Sequence, residues 1–136
     1  MKIKNQKGFT GIDVSISILI IIVFIGLITG LFYNLATTSA RVERKTRATN
    51  LAIEIIEALK VTNFNDLVST EENQMTIEEL NNLASKEISI PNGYSYKILI
   101  EDYQNGGVVK TLKVEITYKQ GKNNENVMIE TLVKNI

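Results

Sequence analysis

Residues 8–33 read GFTGIDVSISILIIIVFIGLITGLFY, and the last twenty of them, residues 14–33, carry neither a charge nor a proline. A transmembrane helix needs about 20 consecutive apolar residues, so this run is long enough to cross a bilayer. One carboxylate, Asp13, stands at its entrance, where a charge is costly enough to require a partner. The short leader ahead of it has no acid and three lysines, Lys2, Lys4 and Lys7.

A basic start followed by an apolar run is typical of a secretory signal peptide. The run here is longer than the usual apolar region of about 7–15 residues. Only poor cleavage sites follow it, at Ala36 and in residues 37–40. Length alone favours an ordinary signal anchor.

Residues 7–13, KGFTGID, followed at once by the apolar run, resemble the class III leader of type IV pilins and pseudopilins. In that family a prepilin peptidase cuts after the glycine, and the new terminal residue, usually Phe, is N-methylated. The resemblance therefore implies cleavage between Gly8 and Phe9 and a methyl group on Phe9. The chain departs from the family pattern at Gly11, where Leu is usual, and at Asp13, where Glu is usual. It also lacks the proline that the family often has late in the run.

Asp13 has two alternative roles. When helices pack side by side, each brings a charged terminal amine into apolar surroundings, and a carboxylate offsets much of that cost. In pilins the carboxylate is thought to meet the amine of a neighbouring subunit, so the resemblance makes Asp13 the assembly carboxylate. The other role is helix capping, because Asp accepts backbone N–H bonds well at a helix start. With Gly8 and Phe9 in place, we favour the assembly role.

Gly26 and Gly30 lie four residues apart inside the apolar run. Small residues at this spacing allow membrane helices to approach closely, and each Gly lowers helix propensity by about 1 kcal/mol relative to Ala. In pilin filaments the comparable segment can lose helicity. The pair is therefore a helix-packing seam or a weak point, unless it only reflects how common Gly is in membrane helices.

The absence of proline from residues 9–60 predicts one long helix. Its first half is apolar on all sides, whereas its second half is amphipathic and can bury one face. The apolar stripe of that second half is predicted to be Ala48, Leu51, Ala52, Ile55 and Leu59, widened by Ile53 and Ile56.

A cluster of basic residues follows the apolar run, so the positive-inside rule does not fix the orientation of the chain. It is most simply read as a solvated helix face with a pair between Glu43 and Arg47. A functional alternative is contact with acidic groups of neighbouring subunits or with lipid headgroups. Its cations are Arg41, Arg44, Lys45 and Arg47.

Turn-forming residues 62–66 are predicted to end the long helix. A capping box formed by Thr76 and Glu79 predicts a short helix at residues 77–85. Both elements belong to a connecting region that links the long helix to the C-terminal part of the chain.

Three segments with alternating apolar residues predict strands within residues 94–101, 112–118 and 127–133. Turn residues at 105–107 and 120–124 favour an antiparallel meander. The apolar face of this sheet would cover the helix stripe, because a three-stranded sheet needs such a cover. The predicted fold is therefore α+β and pilin-like, with the long helix packed on a small three-stranded antiparallel sheet.

Composition argues against an enzyme. Without Cys or His, the chain has no disulfide, no thiol or histidine-dependent nucleophile and none of the usual zinc ligand sets. The zero net charge argues against a surface that is basic throughout and binds nucleic acid. We expect no catalytic, metal or cofactor site. The acid pairs could suggest glycosidase carboxylates, but we interpret them as solvated side chains; they are Glu71, Glu72, Glu78, Glu79, Glu101 and Asp102. The tyrosines could suggest a stacking platform, but we interpret them as sheet packing; they are Tyr94, Tyr96 and Tyr118.

Together these features predict a structural subunit, a minor pilin or pseudopilin of a type IV pilus-like filament. Its parts would be a leader (1–8), a membrane-spanning and filament-core half-helix (9–33) and an extracytoplasmic domain (34–136) divided into 34–60, 61–93 and 94–136. The resemblance implies four partners: prepilin peptidase, other pilin subunits, the membrane before assembly and an inner-membrane assembly platform. The N-terminus would be cytoplasmic before assembly, and the assembled filament would lie at the cell surface. The alternative is a single-pass anchored binding module that does not polymerise.

Overall fold

A computed structural model describes residues 10–68, 75–84, 86–103 and 108–135. The described chain forms two compact units, and the division falls between Ala40 and Arg41. Its elements are α1 (Gly11–Val61), a 3-10 turn (Phe64–Asp66), α2 (Ile77–Ala84), β1 (Tyr94–Asp102), β2 (Val109–Gln120) and β3 (Asn123–Lys134).

The predicted long helix is confirmed as α1, which has 51 residues. Its end is fixed by Thr62, whose backbone N–H donates to the Leu59 carbonyl (3.2 Å) and whose hydroxyl donates to the Leu83 carbonyl (3.1 Å). The second bond ties the end of α1 to α2. The 3-10 turn then interrupts the chain within residues 62–66, as predicted.

The predicted antiparallel meander is also confirmed, with strand order β1-β2-β3. The strands are longer than predicted, and the turn predicted at residues 120–124 is shorter in the structure. Gln120 pairs with Asn123, so the β2–β3 turn contains only Gly121 and Lys122. Gly121 has a positive φ of 63°, which a residue without Cβ adopts readily. The predicted turn at 105–107 lies outside the described residues.

The core of the second unit joins the stripe of α1 to the inner face of the sheet. The predicted stripe is buried, but the prediction for Ile53 was wrong: its exposed fraction is 41%. At 100° per residue, Ile53 lies about 200° around the helix from both Leu51 and Ile55, away from the sheet. The connecting region also supplies core residues that were not predicted, Leu67, Met75, Leu80 and Ile88.

The capping box at the start of α2 is confirmed. The Thr76 N–H donates to Glu79 Oε2 (2.7 Å), and the Glu79 N–H donates to Thr76 Oγ1 (3.3 Å). The backbone hydrogen bond from Thr76, followed by the one from its hydroxyl, lowers the pKa of Glu79. The last residue of the predicted helix, Ser85, lies outside the described residues.

Above about pH 10, the second unit is expected to lose stability. Burial raises the pKa of Tyr118 and of Tyr96 above their ordinary 10.0, and the hydrogen bond with Glu101 raises the pKa of Lys113. Because each pKa is higher in the folded chain, the stabilisation is complete below the unfolded value and is lost as the pH rises through the folded one. We expect Tyr118→Phe to reduce this alkaline loss, measured as the shift in urea midpoint of the detergent-solubilised chain between neutral and alkaline pH. The exposed Tyr103→Phe is the control, and equal shifts for both variants would contradict the expectation.

Candidate assembly segment

The apolar part of α1, residues 14–35, is the most conspicuous candidate for a functional surface. Its large apolar side chains are between 47% and 71% exposed, on every side of the helix. Among the described residues, α1 alone is long and apolar enough to cross a membrane, with a mean hydropathy of 2.8 over its most apolar window. These properties are compatible with a membrane anchor. We refer to residues 14–35 as the apolar segment.

The serine and threonine hydroxyls within the apolar segment donate to the helix itself. Ser15 bonds to the Gly11 carbonyl (3.0 Å), and Ser17 bonds to the Asp13 carbonyl (2.8 Å). Thr29 bonds to the carbonyl four residues earlier (2.8 Å). Such bonds satisfy each hydroxyl donor without water, as surroundings of lipid or packed helices require.

Asp13 lies in the first turn of α1 and contacts Thr10, the residue just before the helix. The backbone N–H of Thr10 donates to Asp13 Oδ2 (3.1 Å), and the Thr10 hydroxyl donates to the same oxygen (2.7 Å). The Thr10 carbonyl accepts from the N–H groups of Asp13 and Val14. The single chain therefore has the geometry of the capping role.

Thr10 was missed by the sequence analysis as a partner of Asp13. The signal was present, because a threonine three residues before an acid has the spacing of a capping box. This arrangement satisfies Oδ2 within one chain, and no other described residue donates to the carboxylate. Pairing with a neighbouring amine remains a prediction.

Gly8 and Phe9, the residues of the predicted cleavage and methylation, lie outside the described residues. Gly26 and Gly30 are exposed on one face of α1, four residues apart. A Cβ added at either glycine would meet no atom within 4 Å. The pair thus leaves a strip of α1 without side chains, and its role in helix packing remains a prediction.

The second unit has an open groove of about 400 Å³ beside the 3-10 turn. The turn is fixed by Lys110, whose ammonium donates to the carbonyls of Phe64 (3.1 Å) and Leu67 and lies 4.6 Å from the Phe64 ring centroid. These contacts give Lys110 a structural role. The groove is lined by Lys60, Thr62, Asn63, Phe64, Asn65, Asp66, Val133, Lys134 and Asn135.

The tyrosines considered in the sequence, Tyr94, Tyr96 and Tyr118, pack in or against the core, whereas Glu71 and Glu72 lie outside the described residues. Tyr94 and Tyr118 contact each other with ring centroids 6.0 Å apart, but Tyr118 is only 3% exposed and has no open ring face. Within the described ranges, no group of three acids is arranged to hold a metal ion.

Comparison with protein-family models, with curated proteins and with solved structures gives no match to this chain. The functional assignment therefore rests on the chain's own residues and their geometry.

Proposed function

We propose that the chain is a structural subunit, a minor pilin or pseudopilin, of a type IV pilus-like filament. The observation that carries the proposal is the exposed apolar segment placed directly after the Lys7-Gly8-Phe9 pattern. A prepilin peptidase would cut between Gly8 and Phe9, so that the apolar helix starts the mature chain.

Energetics support an assembled or membrane-bound state. Burying one large aliphatic or aromatic side chain contributes about 1.5–3 kcal/mol, and the apolar segment leaves almost all of its side chains exposed in the isolated subunit. Lipid covers them before assembly, and the helices of neighbouring subunits cover them afterwards. The inner-membrane assembly platform is the machinery that would carry the subunit from one environment to the other. In this role the chain performs no catalysis.

The alternative, an anchored binding module that does not polymerise, is favoured by one observation, the open groove beside the 3-10 turn. Such a protein needs the apolar segment only as an anchor. It would keep its leader, because an anchor gains nothing from cleavage in front of the apolar run.

The mature N-terminus tests the proposal. In cells with an active prepilin peptidase, we expect mass spectrometry of the membrane-extracted chain to find methylated Phe9 as the first residue. Gly8→Val should abolish cleavage, because the peptidase cuts after glycine in the family that the leader resembles.

Gly11→Leu is the matched control for that experiment. It places a bulky residue three positions away, where a Cβ meets no described atom, and it restores the family's usual residue. We expect normal cleavage of this variant. A parent chain that still begins at Met1 would contradict the proposal and favour the anchored binding module.

A further inference from the structure

Charge is distributed unevenly over the second unit, residues 41–136. Residues 41–47 and 119–122 contain six cations and a single acid, Glu43. The rest of the unit, residues 48–118 and 123–136, contains six lysines and thirteen acids. The six cations, which we call the basic collar, are Arg41, Arg44, Lys45, Arg47, Lys119 and Lys122.

Contacts between α1 and the β2–β3 hairpin bring the two parts of the basic collar together. Arg44 Nη1 donates to the Lys119 carbonyl (2.8 Å), and the Tyr94 hydroxyl donates to the Arg44 carbonyl (3.5 Å). Arg41 also lies near the hairpin: burial raises the pKa of Tyr118, and the positive charge of Arg41 partly offsets this increase. The hairpin turn therefore lies beside the first turns of the helix in this unit.

Most of the collar charge is free to meet a partner. The collar residues on α1, and Lys119 and Lys122 on the hairpin, are exposed. Arg47 is paired with Glu43 (2.8 Å), whereas Arg41, Lys45 and Lys122 have no acidic partner among the described residues. A surface with this excess of cations attracts an extended array of anions.

The chain itself keeps the basic collar close to the membrane. Arg41 follows Tyr33, which lies near the end of the apolar segment, by eight residues. At no more than about 3.4 Å per residue, Arg41 cannot lie farther than about 27 Å from Tyr33. This tether gives the headgroups next to the anchor a high effective concentration at the collar.

We propose that the basic collar binds the anionic phospholipid headgroups of the leaflet on its side of the membrane. Arg and Lys suit phosphate as hydrogen-bonding and electrostatic partners, and several together are attracted to anionic leaflets. The acidic remainder of the unit is repelled by the same surface, so the unit is oriented with the collar toward the bilayer. The proposal needs an anchored chain but no filament.

Because the chain contains no Cys, a single introduced cysteine can be labelled uniquely. We would label Asn123→Cys, beside the β2–β3 turn, and reconstitute the full chain in vesicles that contain an acceptor fluorophore on a lipid headgroup. Energy transfer is expected to be higher in phosphatidylcholine–phosphatidylglycerol vesicles than in phosphatidylcholine alone. It should fall with added salt, because salt screens the attraction.

The collar is tested by a triple variant, Arg41→Gln, Lys45→Gln and Lys122→Gln, which leaves the Arg44–Lys119 contact intact. We expect its energy transfer in anionic vesicles to fall to the level in neutral ones. The matched control, Lys60→Gln, Lys97→Gln and Lys134→Gln, makes the same change in net charge at other exposed lysines and should behave like the parent. Arg41→Lys with Lys45→Arg and Lys122→Arg should also retain the transfer.

Equal transfer of the parent in both lipid mixtures would overturn the proposal. Equal losses in the collar and control variants would overturn it too, since net charge alone would then explain the effect. Transfer that depends on the number of chains per vesicle and not on lipid charge would assign the collar to the acidic surface of a second copy.

Discussion

Ile55→Asp is expected to lower the free energy of unfolding of the second unit by about 3–5 kcal/mol. Ile55 is fully buried in the core that joins α1 to the sheet. The substitution removes a buried aliphatic side chain, which alone costs about 2–5 kcal/mol in such sites. It also places a carboxylate among apolar groups without a partner, so the group must be protonated or the core must open.

Ile53→Asp is the control for this prediction, because it makes the same chemical change two residues away on the exposed face of α1. We expect its effect to be within about 1 kcal/mol of zero. Urea unfolding of the detergent-solubilised chain, followed by the near-ultraviolet signal of the tyrosines, reports on the second unit. Similar midpoints for Ile55→Asp and Ile53→Asp would show that the stripe of α1 does not form the core.

Asp13→Ala is expected to leave membrane insertion intact and to reduce incorporation into filaments sharply. If Asp13 neutralises the terminal amine of a neighbouring Phe9, its removal leaves that amine unpaired among apolar helices. Asp13→Glu keeps the charge and should be tolerated. Asp13→Asn removes the charge but keeps an oxygen that can accept the hydrogen bonds of Thr10, so it separates pairing from capping.

Thr10→Ala provides the complementary control, because it removes the hydroxyl bond to Oδ2 and leaves the carboxylate in place. The measurement is the amount of filament-associated subunit at matched membrane levels. The pairing role predicts a large loss for Asp13→Asn and a small one for Thr10→Ala. Equal incorporation of Asp13→Asn and the parent would leave capping as the function of this carboxylate.

The elements with strong local signals were predictable from the sequence. The uninterrupted apolar and amphipathic spacing predicted α1, and the Thr76–Glu79 spacing predicted the start of α2. Period-two alternation predicted the three strands, and the short links between them predicted the antiparallel meander. Each of these depends on residues within one or two turns or strand lengths of each other. In β3 the alternation leaves Met128 and Leu132 on the solvent-exposed face, where they are 58% and 51% exposed.

Features that depend on distant contacts were not predictable. Leu67 and Met75 are buried although their segments are too short to show a period. The cations of residues 41–47 form a cluster that is visible in the sequence. The bond between Arg44 and the Lys119 carbonyl joins residues 75 positions apart, so no local pattern predicts that the hairpin completes the basic collar. For the candidate site, the sequence placed Asp13 at the helix start. The choice between its two proposed roles depends on whether another chain contacts it, which no pattern within one chain specifies.

The hydroxyls of Ser15, Ser17 and Thr29 donate to carbonyls of their own helix, and this affects how easily the apolar segment can move between lipid and protein. A helix that moves from lipid into protein must exchange any hydrogen bond that it makes to its environment. Ser15, Ser17 and Thr29 make theirs to the helix, so these three groups would exchange no hydrogen bond in the proposed transfer from lipid into a filament. The transfer free energy of residues 15–29 would then reduce to the difference between two kinds of apolar contact, which is small. In the proposed assembly, transfer from the bilayer into packed helices would accordingly be resisted mainly at the ends of the segment.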